Sequence, residues 1–335
     1  MREKIWNAVN NAGKIAICGH VRPDGDCVGS CMALYMYVKK AYPDKEVYVY
    51  MDGIPKVFES MCRGYDVITD YRDVSPDLFI ALDCSDSERL GDAREYFDRA
   101  DVTINIDHHI SNLSYADINH FMAKSSSTSE VIYELLDENL IDKAIAAALY
   151  TGIIHDTGVL QYSNTSKRTL EIVGNLLDHG IPSDKIIDET FYQKTYSQNL
   201  LMARCVLESR MYLGNRCIMS VATKDILEEY NATTEDLDGI VNILRITKGV
   251  ECAVLMHETK IISEGEDISE NSGVSEYKVS MRANNDMDVS RVALMYGGGG
   301  HIKAAGCTMT GTLEEVTKKL LSSINEVMSS IYQMV

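Results

Sequence analysis

Acid and imidazole side chains gather in four short stretches of this chain. They are His20-x-x-x-Asp24-x-Asp26, Asp83 closing Ala81-Leu82-Asp83, the triplet Asp107-His108-His109, and Asp156 in His155-Asp156-Thr157-Gly158. Singly, each has a plain structural explanation. Asp-Gly is a common turn, Asp83 could cap a strand end, His108 and His109 could lie on the surface, and Asp156 could be a turn acid. Taken together, they bring several carboxylates into one region with Arg22 the one lysine or arginine inside the motifs, and such charges repel strongly unless cations intervene. Two divalent metal ions would resolve the conflict. A set of carboxylates and imidazoles without thiolate suits Mn2+, Mg2+, Fe2+ or Co2+, and the imidazoles argue against magnesium alone. The chemistry such a cluster performs is two-metal hydrolysis of a phosphoester.

The elements that must position these groups alternate along the first half of the chain. Lys14 to Cys18, Glu46 to Tyr50, Leu78 to Leu82 and Val102 to Ile106 read as short apolar strands, and Val28 to Lys39 as a helix. That alternation predicts an α/β fold with a mostly parallel sheet flanked by helices. The acid motifs then sit at the carboxyl ends of the strands, where open α/β sheets bind ligands. Helices are expected over Ser129 to Leu140, after a hydroxyl run that can cap one, and over Lys143 to Ile154, stopping at a glycine turn.

At 335 residues, two lobes sharing a cleft are expected. Residues 1–190 are read as the catalytic metal-binding domain, 191–212 as a helical linker, and 213–335 as a smaller α/β substrate-binding domain. In the last, Cys217 to Ala222, Glu251 to His257 and Tyr277 to Arg282 read as strands. Helices are expected around Leu237 to Leu244, Val289 to Met295 and Leu313 to Ser330, and Ser263 to Glu276 as an exposed loop.

Composition excludes several classes. A net charge of -18 leaves no large basic groove, so long nucleic acid is a poor substrate, while small anions remain possible beside bound cations. Nine scattered cysteines without a C-x-x-C pair argue for buried free thiols in a reducing compartment rather than disulfides or a thiolate zinc site. No stretch approaches the ~20 apolar residues of a membrane helix, and the first residues lack a signal-peptide core. A cytoplasmic protein without a membrane partner is expected. Apolar residues on the first-domain helices would serve a homodimer interface as readily as a core.

The order of the motifs resembles the DHH phosphoesterase superfamily, named for the triplet at Asp107, His108 and His109. A second match lies downstream, where Gly297-Gly298-Gly299-Gly300-His301 and Ala304-Ala305-Gly306 look like the hallmark of the DHH-associated C-terminal domain. Length and layout are most similar to the bacterial nanoRNase group. The resemblance implies one ion held by His20, Asp24 and Asp83, and a second by Asp26, Asp83, His108 and Asp156, with Asp83 bridging. It implies that Asp107 orients a histidine and that His109 contacts phosphate or donates a proton, with His155 at most a supporting neighbour. Arg282, Gly298, Gly299, Gly300 and His301, assisted by Lys303, would hold substrate phosphate.

The implied substrates are short oligoribonucleotides, linear dinucleotides among them, degraded from an end, and 3'-phosphoadenosine 5'-phosphate. The competing readings are a cyclic dinucleotide phosphodiesterase and a nucleotide sensor without turnover.

Overall fold

Strands buried on both faces need helices on both sides of the sheet, and the first unit of the protein is built that way. The computed structural model describes residues 1–70, 72–261 and 273–332, and the chain divides into two units, Met1–Gln193 and Lys194–Val335. The first unit holds the strands β1 (Lys14–Cys18), β2 (Glu46–Tyr50), β3 (Val67–Ile68), β4 (Leu78–Leu82), β5 (Val102–Asp107) and β6 (Ile118–Phe121). They form one sheet in the order β3-β2-β1-β4-β5-β6, parallel throughout.

Eight helices accompany them: α1 (Arg2–Asn11), α2 (Gly25–Ala41), α3 (Glu59–Cys62), α4 (Arg94–Arg99), α5 (Thr128–Leu135), α6 (Lys143–Asp156), α7 (Lys167–Leu177) and α8 (Ser183–Ile187). On one face Ile15, Ile17, Ile80 and Leu82 pack with Val28, Met32, Val131, Leu149 and Ile172 from α2, α5, α6 and α7. On the other, Ala16, Cys18, Phe79 and Ala81 pack with Leu90 and Tyr96. The apolar residues of α2 and α6 thus lie in the core of the single chain. All nine cysteines are free and buried.

The strand order has a consequence for function. The chain runs outward from β1 to β3 and returns on the other side of β1 to β4, so the crevice at the carboxyl ends of β1 and β4 is the topological switch point. His20 follows β1, Asp83 follows β4, and Asp107 closes β5.

The structure adds one strand to the expected set and corrects two local expectations. Ile118–Phe121 is a strand that no apolar run announces, because β6 is a sheet edge where Asn119 and His120 stay half-exposed. The helix expected over 129–140 stops at Leu135, since Leu136 and Asp137 are extended. Of the expected loop at 263–276, residues 274–276 already belong to a strand, and 262–272 lie outside the described residues.

The second unit contains β7 (Arg210–Tyr212), β8 (Cys217–Ala222), β9 (Cys252–Ile261), β10 (Val274–Ala283), β11 (Gly299–His301) and β12 (Ala304–Thr312). Its sheet runs β11-β12-β10-β9-β8-β7, antiparallel except for the β8/β9 pair. Its helices are α9 (Tyr196–Leu207), α10 (Lys224–Glu229), α11 (Ile240–Arg245), α12 (Val289–Leu294) and α13 (Leu313–Tyr332). Val279 and Met281 face α12 and α13 through Val292, Val316 and Leu320. Ile218, Ala253 and Leu255 face α9 to α11 through Leu201, Cys205, Ile240 and Leu244. Among the described residues, no helix is long and apolar enough to cross a membrane.

Candidate metal centre

An aspartate placed just before a helix can cap it and still keep one oxygen for another partner. Asp24 does this: one oxygen accepts the N–H groups of Asp26 and Cys27, each at 3.1 Å, and so starts α2. Its other oxygen lies 3.7 Å from His20 Nε2. The same nitrogen is 3.6 Å from Asp83 Oδ2. Asp83 has φ +55, a left-handed conformation that aspartate tolerates better than most residues. That backbone turn ends β4 and directs the carboxylate, almost fully buried, into the crevice.

The histidine tautomers follow from their acceptors. His20 Nδ1 faces the Val21 carbonyl at 2.9 Å and His108 Nδ1 faces the Ser125 carbonyl at 3.4 Å. A carbonyl only accepts, so both rings carry a proton on Nδ1 and turn Nε2 toward the acids, which makes Nε2 the nitrogen a cation would take in place of a proton. His108 Nε2 is 3.6 Å from Asp83 Oδ1 and 3.2 Å from Asp156 Oδ2. The Val21 peptide that orients His20 is itself held, its N–H donating to the Arg89 carbonyl at 2.8 Å, in a loop capped by Asp86.

These residues form three overlapping groups able to hold a cation: His20 with Asp24 and Asp83, Asp26 with His108 and Asp156, and Asp83 with His108 and His109. In the first two, donors of different residues lie 3.2–3.7 Å apart where measured. Ligands about 2.1 Å from one ion are separated by roughly 3.0–3.5 Å along a polyhedron edge. The residues therefore fit divalent cations. The third group uses His109 Nδ1, whose proton is already given to Asp107 Oδ1 at 2.8 Å. That nitrogen has no lone pair for an ion.

Charge gives the same answer as geometry. Burial and then the neighbouring Asp83 push the Asp26 carboxyl up to about 7, and burial, Asp26, Asp83 and Asp24 raise Asp156 well above the usual range. Burial works against the charged form of His20, but hydrogen bonding to Asp24 and Asp83 raises it to about 11. Without cations the crevice can be neutralised only by protons.

Asp107 is fully buried and engaged on both oxygens. One accepts from the His108 and His109 backbone and from His109 Nδ1, the other from Asn112 Nδ2 at 2.6 Å. It orients His109 through Nδ1. His155 falls outside the three groups. Its Nε2 meets Thr190 Oγ1 at 2.9 Å and its ring packs on Phe58 and Phe191.

Sequence reasoning missed the run Ser126–Glu130, read only as a helix cap. Thr128 N–H donates to Asp26 Oδ2 at 2.6 Å, Ser129 N–H to Asp26 Oδ1 at 2.9 Å, and Thr128 Oγ1 to Asp83 Oδ1 at 2.9 Å. Four consecutive hydroxyl residues before an apolar helix were the available signal. Gly152 on α6 makes room for this arrangement, since a Cβ there would stand 1.9 Å from Ser129 Oγ and 2.7 Å from Asp26 Oδ1.

In the second unit Arg282 lies on β10 and Gly299 to His301 on β11, the two strands that flank β12. Arg282 pairs with Ala304, and Ala304 pairs with His301, so Arg282 and His301 share one face with a small residue between them. The glycine run leads into strand β11 and a turn at Ile302 and Lys303, not into a helix. Lys303 Nζ donates to the Asn285 carbonyl.

Packing accounts for two of the glycines. A Cβ on Gly298 would meet the Gly306 carbonyl at 2.2 Å, and one on Gly300 the Ala304 carbonyl at 2.5 Å. Gly299 has open space around it. It is the position whose backbone a ligand could approach.

The fold agrees with the comparisons to known proteins. The DHH family N-terminal domain matches residues 14–153 and the DHHA1 domain matches residues 216–330. The chain thus carries an N-terminal domain of the DHH family followed by a DHHA1 domain. It is 27% identical over 319 residues to the bifunctional oligoribonuclease and PAP phosphatase NrnA of Thermus thermophilus, covering 94% of this chain and 90% of that protein. The protein of the same name from Bacillus subtilis is 26% identical over 92% of this chain and 93% of its own length. Among solved structures, an exopolyphosphatase-related protein from Bacteroides fragilis superposes with a TM-score of 0.86 at 26% identity, covering 97% of this chain and 95% of that one.

Proposed function

We propose that this protein is a metal-dependent phosphohydrolase that degrades short oligoribonucleotides from an end and removes a phosphate from 3'-phosphoadenosine 5'-phosphate. One observation carries the reading: two His/Asp groups, His20-Asp24-Asp83 and Asp26-His108-Asp156, meet at the switch point of one sheet, with Asp83 also facing His108. The resemblance to the two NrnA proteins supports the substrate class. Two divalent ions, most simply Mn2+, would be held by His20, Asp24, Asp26, Asp83, His108 and Asp156. When bound, such ions neutralise phosphoryl oxygens and lower the pKa of water.

The remaining steps belong to the chain's own side chains. Asp107 holds the His109 proton on Nδ1, and His109 would contact the phosphoryl group or carry a proton for the leaving oxygen. Arg282, Gly298, Gly299, Gly300 and His301 would recognise substrate phosphate. Arginine supplies a planar fork and the open Gly299 a bare backbone. The net charge of -18 fits short substrates held at a few points better than long strands.

The test is a Mn2+-supplemented assay over linear dinucleotides, longer oligomers, cyclic dinucleotides and 3'-phosphoadenosine 5'-phosphate. Turnover of linear dinucleotides and the bisphosphate is expected. No hydrolysis of either sinks the proposal, and a preference for the cyclic form replaces it with a cyclic dinucleotide phosphodiesterase.

A further inference from the structure

Asp26 and Asp83 come from unrelated elements, the first turn of α2 and the residue after β4, and they belong to different cation-holding groups. Nothing in their own elements sets the distance between them. Thr128, the first residue of α5, touches both. Its N–H donates to Asp26 Oδ2 at 2.6 Å and its hydroxyl donates to Asp83 Oδ1 at 2.9 Å, while the next N–H, of Ser129, takes Asp26 Oδ1 at 2.9 Å. Thr128 is fully buried. Because carboxylates only accept, the hydroxyl proton points at Asp83, and each carboxylate oxygen keeps a lone pair for a cation.

We propose that Thr128 is a positioning residue that sets the separation of the two cation positions. It ties the Asp26 carboxylate to the Asp83 carboxylate. This rests on the two-cation reading above.

The bracket is itself rigidly mounted. Ser127 Oγ accepts the Glu130 N–H at 3.0 Å and so caps α5. The buried Glu130 carboxylate accepts hydroxyl bonds from Ser126 on the same segment and from Thr169 on α7, each 2.7 Å. Thr169 in turn belongs to the capping box that starts α7. The start of α5 is thereby anchored to a second helix, and its first N–H groups stay aimed at Asp26. Outer partners that fix a ligand's orientation change metal affinity without touching the metal.

A cap alone would need only the backbone of residue 128, so the hydroxyl is the discriminating atom. Thr128→Val keeps both N–H bonds to Asp26 and nearly the same volume, and removes only the bond to Asp83. Thr128→Ser keeps that bond. Mn2+ binding to the full chain is measured by titration calorimetry, with thermal melts in chelator to compare the folds. Thr128→Val is expected to bind Mn2+ about 10- to 100-fold more weakly at the weakened position, and Thr128→Ser to stay within about threefold of wild type. If the valine variant does not fold, the alanine and serine variants give the same comparison.

Wild-type affinity in the variant lacking the hydroxyl overturns the proposal. So does an equal loss in Thr128→Ser, which would mean that the methyl packing matters and the bond does not. A wild-type chain that takes up no Mn2+ overturns the two-cation reading along with it.

Discussion

A carboxylate in a left-handed backbone conformation can be tested in a way an ordinary one cannot. Asp83 has φ +55, where asparagine is tolerated and alanine costs about 1 kcal/mol. Asp83→Asn is therefore the clean substitution. Mn2+ uptake and hydrolysis are expected to be lost while the melting temperature in chelator stays near wild type. Asp83→Ala should lose the same functions and melt lower as well. A folded Asp83→Asn chain with full activity would rule out any bridging role.

Asp107 calls for a different outcome, because its side chain fixes the His109 ring, the proposed phosphate contact, and falls outside the groups able to hold a cation. Asp107→Asn should lower kcat by about 10- to 100-fold and alter the pH profile, with much less effect on Mn2+ affinity. A loss confined to Mn2+ binding would show that Asp107 supports the cation ligands instead.

Between elements, glycine on a helix has opposite meanings at two places. In α6, Gly152 faces Ser129 and Asp26 at distances no Cβ could occupy. Gly152→Ala must push α5 away from α6, which is expected to cost about 1–3 kcal/mol. It should also weaken Mn2+ binding. Gly174 lies in α7 with open space around it, and Gly174→Ala should stabilise by about 0.5–1 kcal/mol. Urea midpoints of the two variants check the contrast.

The start of the sheet offers a pH test far from the crevice. Asp77 Oδ2 accepts the N–H groups of Gly13 and Lys14 at 2.7 and 2.8 Å, tying the entry of β4 to that of β1. The Lys14 and Gly13 amides hold its carboxyl below the usual range. A depressed carboxyl stabilises the fold above its unfolded pKa of about 4 and stops doing so as pH falls through the folded value. Wild type should exceed Asp77→Ala in urea midpoint at pH 7, by under about 1 kcal/mol for so exposed a group. The difference should shrink as pH falls below about 4.

On the scale of the whole molecule, the groups able to hold a cation among the described residues all fall in the first of two units, each with its own hydrophobic core. A ligand that binds only the folded form stabilises what it binds. Adding Mn2+ should therefore slow amide hydrogen exchange in β1, β4, α2 and α5. The sheet of the second unit should exchange at the same rate with or without the ion. Protection appearing first in residues 194–332 would contradict the assignment of the cation positions.

The sequence by itself determined the α/β class and the motif ends of β1, β4 and β5, because strands buried on both faces leave continuous apolar runs that end abruptly at polar ligands. Cys217–Ala222 and Leu313–Tyr332 were legible for similar reasons, one as an apolar run and the other as a helical repeat. The edge strand Ile118–Phe121 was not, since three of its four residues are only half-buried and carry no apolar pattern. Only the tertiary structure decided which nitrogen each histidine offers, because that depends on carbonyls of Val21 and Ser125 reached through folding. The same holds for Thr128, whose two acceptors are brought beside it by packing across α2, β4 and α5. Local spacing can place a ligand at the end of a strand, but the distance between ligands on different elements is set by what packs between them.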